Sequence, residues 1–145
     1  MSITIKQPKT EKKFEDYYEL RWRVLRQPWQ QPKGSEKDEL ENESFHIMAW
    51  NENNNVIGVG RLHFNTESEA QIRYMAVDSP NITRGTGTLI LEALEEQARL
   101  QKCISIILEA RESTLNFYEK REFIVSRKSH ILYASIQHYR MAKCL

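Results

Sequence analysis

Residues 70–110, "AQIRYMAVDSPNITRGTGTLILEALEEQARLQKCISIILEA", constrain the fold more than any other part of the chain. The first eight alternate apolar and polar side chains, as a half-buried strand does, and Asp78 and Pro80 stop it. Gly85 and Gly87 occupy the loop that follows. Leu91, Leu94 and Ala98 then recur at three and four, which predicts an amphipathic helix over 86–101. "CISIILEA" at 103–110 is too continuously apolar for a solvent-facing strand and reads as a central buried one. Strand, glycine loop, helix and buried strand in that order belong to a mixed α/β domain built round one sheet.

The flanking segments extend that sheet. "ITIKQ" at 3–7 alternates like a strand. Phe14, Tyr17, Leu20 and Val24 mark one face of a helix, with Thr10 as its N-cap and Pro28 beyond its end. "QPWQQPKGS" at 27–35 is an irregular connection, and "SEKDELENE" predicts a short acidic helix capped by Ser35. "FHIMAW" (45–50), the Asn-rich turn and "VIGVGRLHF" (56–64) form a hairpin. "STLNFYEKR" (113–121) is a short helix, and the tail supplies two last strands. The whole chain, 1–145, is expected to be one domain.

Composition narrows the partners. A net charge of +1, with 28% charged and 40% hydrophobic residues, lacks the basic excess of a nucleic-acid-binding domain. No apolar run is long enough for a membrane span, and the N-terminus has no signal-peptide core, so a cytoplasmic protein is expected. Cys103 and Cys144 match no metal or redox spacing, and the four histidines show no paired ligand spacing. Cys103, opening an apolar strand, is expected in the core.

The glycine loop fails two phosphate-binding patterns. A Walker loop needs Lys after its last glycine, and Thr88 stands there. A dinucleotide loop needs a third glycine where Ile90 lies. The loop instead resembles the acyl-CoA loop of the GNAT acetyltransferases, R/Q-x-x-G-x-G/A, with Gly85 and Gly87 at its glycines. "MAV" before it, "LILEALEEQA" after it and "FYEKREF" at 117–123 extend the resemblance along essentially the whole chain. "RWRVLRQPW" and "IQHYRMAK" are similar to the small ElaA-like bacterial branch.

That resemblance implies a GNAT fold: a mixed central sheet of about six to seven strands, splayed in the middle and flanked by about four helices. It implies an acetyl-CoA-dependent N-acetyltransferase acting by direct transfer on a small-molecule or protein amine, without a metal, and with a homodimer as the candidate assembly. A non-catalytic acyl-CoA-binding module is the alternative. Met75, Ala76 and Val77 would bond the pantetheine arm. Thr83, Arg84, Gly85, Thr86, Gly87 and Thr88 would cradle the pyrophosphate, with Arg111 and Asn116 as further cofactor contacts. Tyr118 stands at the general-acid position. Three positions depart from the pattern: Ile82 replaces Arg or Gln, Glu122 replaces a glycine, and Arg111 replaces a frequent Asn.

No residue stands out as the base. Gln71 occupies the position of a Glu in some relatives, and His63, His138, Glu69 and Glu109 lie nearby in the inferred layout. The acidic run Glu36–Glu43 is either a solvated helix face or a means of steering a cationic amine. Trp22 and Trp29 are candidates for an apolar wall, Trp22 alternatively for packing against the sheet.

Overall fold

The computed structural model describes residues 2–145, except that the side chain of Thr83 lies outside the described residues. The elements run β1 (Thr4–Lys6), α1 (Glu11–Leu25), β2 (Phe45–Trp50), β3 (Val56–Phe64), β4 (Glu69–Val77), α2 (Thr86–Leu100), β5 (Ser105–Arg111), α3 (Leu115–Glu119), β6 (Ile124–Leu132) and β7 (Ile136–Cys144). Short 3-10 turns lie at Gln27–Trp29, Glu41–Glu43, Ser79–Arg84 and Glu112–Thr114. The seven strands form one mixed sheet in the order β1-β2-β3-β4-β5-β7-β6. Only β4 and β5 run parallel, and α2 makes the crossover between them. No helix of the described residues is long and apolar enough to cross a membrane.

Local chemistry explains the elements that match expectation. The Thr10 side chain accepts a hydrogen bond from Lys13 N (3.1 Å) and starts α1. Asn51 Oδ1 accepts from the amides of Asn53 and Asn55, and Asn54 takes φ 63°, which closes the β2–β3 hairpin.

The acidic segment is different. Residues 35–40 form turns rather than a helix, so three α-helices flank the sheet instead of four. Its carboxylates are recruited elsewhere. Asp38 binds Arg61 through both oxygens (2.6 and 3.1 Å), and Arg73 joins at 2.7 Å. Glu41 Oε2 accepts from Arg21 and Arg61, both at 2.9 Å. Arg21 and Arg61 are fully buried. Two buried guanidiniums need carboxylates, and the chain bends round them at the expense of helical hydrogen bonds. Asp38 and Glu41 are therefore neutralised by arginines, which removes them from the steering role considered for the run.

The core lies on both faces of the sheet. Tyr17 and Leu20 of α1 meet Met48, Val59 and Ala76 on one face. Ile90, Leu91, Leu94 and Ala98 of α2 meet Ile47, Leu62, Ile72, Ile106 and Leu108 on the other, with Cys103 also buried there. Glycine sets the height of α2 above the sheet. A Cβ on Gly58 would come within 2.6 Å of Ile90 Cδ1 and 2.9 Å of Thr86 Cγ2. One on Gly60 would come within 2.8 Å of Ile90 Cγ2. The first turn of α2 is thereby fixed directly over β3.

Candidate active site

The sheet opens at its centre. Pairing between β4 and β5 runs from Glu69↔Ser105 to Ile72↔Leu108 and stops there. On its other edge β4 stays paired with β3, but through a bulge: Arg61 faces Arg73 and Val59 faces Ala76, so Gly60 opposes both Tyr74 and Met75. Tyr74 takes φ 57°, a left-handed conformation that costs a non-glycine residue about 1 kcal/mol or more. Its ring is clasped by Arg21, Arg73, Arg61 and Arg26, whose guanidinium carbons lie 4.3–5.7 Å from the centroid. The bulge also reverses the alternation of β4. Met75 and Val77 now face the α2 side and Ala76 faces α1. Beyond Ile72, the edge of β4 toward β5 has no strand partner.

The end of β4 leads to the glycine loop. Gly85 takes φ 80°, and no heavy atom lies within 4 Å of where its Cβ would stand, so this turn is open. Helix α2 begins at Thr86 with no side-chain cap and no acidic residue in its first turn. Its first amides are free of intrahelical partners and carry the positive end of a 15-residue helix. Gly87 lets Phe117 approach; a Cβ there would be 3.1 Å from the ring. Among the described residues the buried Thr86 hydroxyl has no partner, and Thr88 is half-buried.

The cations round this loop are unequal. Arg84 is tied to Asn81 Oδ1 (2.9 Å) and Glu52 Oε2 (3.3 Å). Arg121, to which sequence reasoning gave no role, places two guanidinium nitrogens on Thr88 Oγ1, Nε at 3.0 Å. Its Nη1 donates to Phe117 O, and its guanidinium lies 3.9 Å from the Phe117 ring centre. Among the described residues it has no carboxylate partner. A cation beside a helix N-terminus is repelled unless an anion joins them, so the unoccupied coulombic demand here is for negative charge.

Tyr118 is buried on α3, and its hydroxyl points at Met75 Sδ, 3.6 Å away, which brings it to the opening between β4 and β5. Burial pushes its phenol pKa well above the ordinary value. It holds its proton throughout the neutral range.

Comparison with known proteins identifies this arrangement. The family described as "Acetyltransferase (GNAT) family" matches residues 14–123. The chain belongs to the GNAT family. It is 30% identical to a Bacillus subtilis (strain 168) protein named "Uncharacterized N-acetyltransferase YjcF" over 135 residues, covering 93% of this chain and 95% of that protein. Its fold is similar to that of an aminoglycoside 6'-N-acetyltransferase solved with coenzyme A (TM-score 0.79, 14% identity, 99% of this chain and 97% of that one). It is equally similar to Escherichia coli ElaA (TM-score 0.78, 17% identity, 98% of each chain). Family membership makes this chain an acyltransferase.

Seen as a GNAT site, the remaining residues divide clearly. Met75 and Val77 are half-buried at the open edge of β4, with Ala76 buried between them. Asn116 is exposed on α3. Arg111 stands at the end of β5, where Nη2 donates to Leu25 O at the end of α1 (3.2 Å), so the structure places it on the α1 face. Glu122 takes φ 73°, which explains why glycine suits that position of the motif. Ile82 is 61% exposed.

The base candidates are separated by their partners. Gln71 accepts from Asn65 Nδ2 (2.9 Å), and so does Glu69 (3.0 Å), while His63 Nδ1 accepts from Arg61 Nη2 (3.0 Å). Burial, then the Arg61 charge, lowers the His63 pKa and keeps the ring neutral. His138 donates from Nδ1 to Ile136 O (3.0 Å) and stacks on His130, and burial lowers its pKa as well. Glu109 takes Arg140 on Oε1 (2.9 Å), and its buried Oε2 has no partner among the described residues. Among the described residues that oxygen, Glu69 Oε1 and His138 Nε2 are acceptor atoms of these candidates that take no hydrogen bond.

The Trp22 indole N–H donates to Gln31 O (3.0 Å) and ties α1 to the following loop. Trp29 stacks on Tyr133 at the β6–β7 turn (centroids 6.3 Å apart) and stays partly exposed.

Proposed function

We propose that this GNAT protein binds acetyl-CoA and passes the acetyl group directly to a primary amine held on the α1 side of the sheet. One observation carries the reading: the unpaired edge of β4 runs straight into the uncapped N-terminus of α2, beside an arginine without a carboxylate partner. These features fit a ligand with amides along its length and phosphates at one end.

The residues present fit such a molecule. The main chain of Met75, Ala76 and Val77 pairs with its pantetheine amides, as an added strand would. The amides of Gly85, Thr86, Gly87 and Thr88 receive the pyrophosphate, with Thr83, Arg84 and Arg121 at its rim. Asn116 is a contact from α3. Arg111 is assigned away from the phosphates because it faces α1. The cosubstrate supplies an acyl thioester, whose carbonyl carbon gains the amine nitrogen and loses the thiolate. Tyr118 gives the departing sulfur its proton, and the amine's proton goes to Glu109, His138 or solvent. A main-chain amide near Val77 stabilises the carbonyl oxygen as it gains charge.

Thermal unfolding with saturating acetyl-CoA tests the reading, with adenosine diphosphate as control. At about 100 times its dissociation constant the ligand adds ~2.7 kcal/mol, a rise of several degrees. No rise in a folded, ligand-free sample refutes it. A binding module without turnover is the second reading, favoured by Ile82 exposed at the first loop position. Release of free thiol in the presence of amines decides against it.

A further inference from the structure

Arg26 and Arg111 converge on one carbonyl. Arg26 Nη1 and Arg111 Nη2 each donate to Leu25 O at 3.2 Å, and Arg26 Nε donates to Ser35 O at 3.0 Å. Arg26 is 7% exposed and Arg111 half-buried, yet neither has a carboxylate within 4.0 Å among the described residues. The contrast with Arg21, Arg61 and Arg73 is direct, since those three share Asp38 and Glu41. Burial, and then the neighbouring charge of Arg26, lowers the Arg111 pKa from its ordinary value. The pair lies on the acceptor side of the opening: Arg26 stands 5.7 Å from the ring of Tyr74, the bulge residue, and 5.8 Å from Tyr133. Two residues from Arg111, on the same face of β5, Glu109 holds its unpartnered Oε2.

We propose that the acceptor is an amine that also carries a carboxylate. Arg26 and Arg111 bind the carboxylate, and the amino end faces Glu109 Oε2. Resting on the acetyltransfer reading above, this narrows its substrate class. Two forked donors on one half-buried locus match a planar carboxylate, and an acid beside them matches an ammonium. The structural alternative is that both arginines only cap the carbonyl end of α1.

The experiment pairs amines that differ only in the carboxylate: alanine with ethylamine, ornithine with putrescine, lysine with cadaverine, 4-aminobutyrate with propylamine. Thiol release from acetyl-CoA is followed for each. The carboxylate-bearing member of a pair is expected to have a kcat/KM about tenfold higher or more. Arg111→Gln and Arg26→Gln should each raise KM for it about tenfold with little change in kcat, while keeping the acetyl-CoA thermal shift. Arg111→Lys should recover part of the loss. Equal or better turnover of the plain amines overturns the proposal, as does preference unchanged in both variants with a lower Tm alone, the mark of helix capping. Acetyl-CoA binding without turnover of any carboxylate-bearing amine also overturns it. Absence of the acetyl-CoA shift in the parent protein is separate: it refutes the acetyltransfer reading, and this narrowing falls with it.

Discussion

The hydroxyl of Tyr118 lies 3.6 Å from the sulfur of Met75, joining α3 to the open edge of β4 across 43 residues of chain. The contact is a weak one between a strong donor and a poor acceptor, so the phenol proton is held without being satisfied. Tyr118→Phe keeps the ring and removes that proton. We expect kcat to fall about 10²-fold or more while acetyl-CoA binding, measured by calorimetry, stays within a factor of about three. An unchanged kcat would remove Tyr118 from the chemistry.

Gly85→Ala tests the loop through its backbone. Open space surrounds the position, so the cost comes from φ 80° alone, about 1 kcal/mol. The expected outcome is a Tm lower by about 3 °C, read by calorimetry, with weaker cofactor binding on top. A loss of ten degrees would mean that the open geometry is wrong.

Arg121→Ala addresses the cation on Thr88. Its removal should weaken acetyl-CoA binding about tenfold and flatten the salt dependence of the affinity. Binding of a pantetheine lacking phosphates should not change. Equal losses for both ligands would place Arg121 in packing, through Phe117.

Arg61→Leu leaves the nearly buried carboxylate of Asp38 with the exposed Arg73 as its one cation and the Leu40 amide as its other donor. Removing one partner from such a network costs about 3 kcal/mol or more. Denaturant unfolding should show this as a lower midpoint. The double change Arg61→Leu with Asp38→Leu should lose less than the two single losses added together.

Acid should lower the stability of the protein in two pH ranges. His46 donates from Nε2 to Glu41 O and accepts at Nδ1 from Tyr17, and burial lowers its pKa, as it does for His63 and His138. Folded values below the unfolded 6.5 mean stability present above pH 6.5 and lost as pH falls through the folded values. Asp38 is pushed up by burial, but the hydrogen bonds from Arg61 and Leu40 and the charges of Arg61 and Arg73 outweigh this and hold it at about 2. It therefore contributes about 2 kcal/mol above pH 4, lost between about 4 and 2. Unfolding free energies measured from pH 8 to 2 check both ranges, and a flat profile between pH 7 and 5 would contradict the first.

The readable parts of this fold are local ones. The strand, loop and helix through Val77, Gly85 and Leu94 carry their own periodicity and their own turn chemistry. The centre of the site is not local. The bulge sets Tyr74 and Met75 together against Gly60, 14 residues earlier on another strand. Nothing in "QIRYMAV" signals it. The acidic run has helical composition, yet its partners Arg21 and Arg61 reach it from either side in sequence, and only the folded chain shows that buried charge outweighs propensity. Arg121 sits three residues after Tyr118, in full view, but its role depends on α3 meeting the start of α2.

The opening between β4 and β5 has a further consequence for the chain as a solute. Unpaired strand edges recruit strands from neighbouring molecules and seed aggregates when they lie at the rim of a sheet. This one is about five residues long and lies in the interior of a seven-stranded sheet, with α1 over one face and α2 over the other. A slender chain of amides can slide in, whereas a second protein carrying side chains on both faces of its strand meets helices above and below. The protein can thus keep adhesive main chain at its heart without presenting it at the rim of the sheet.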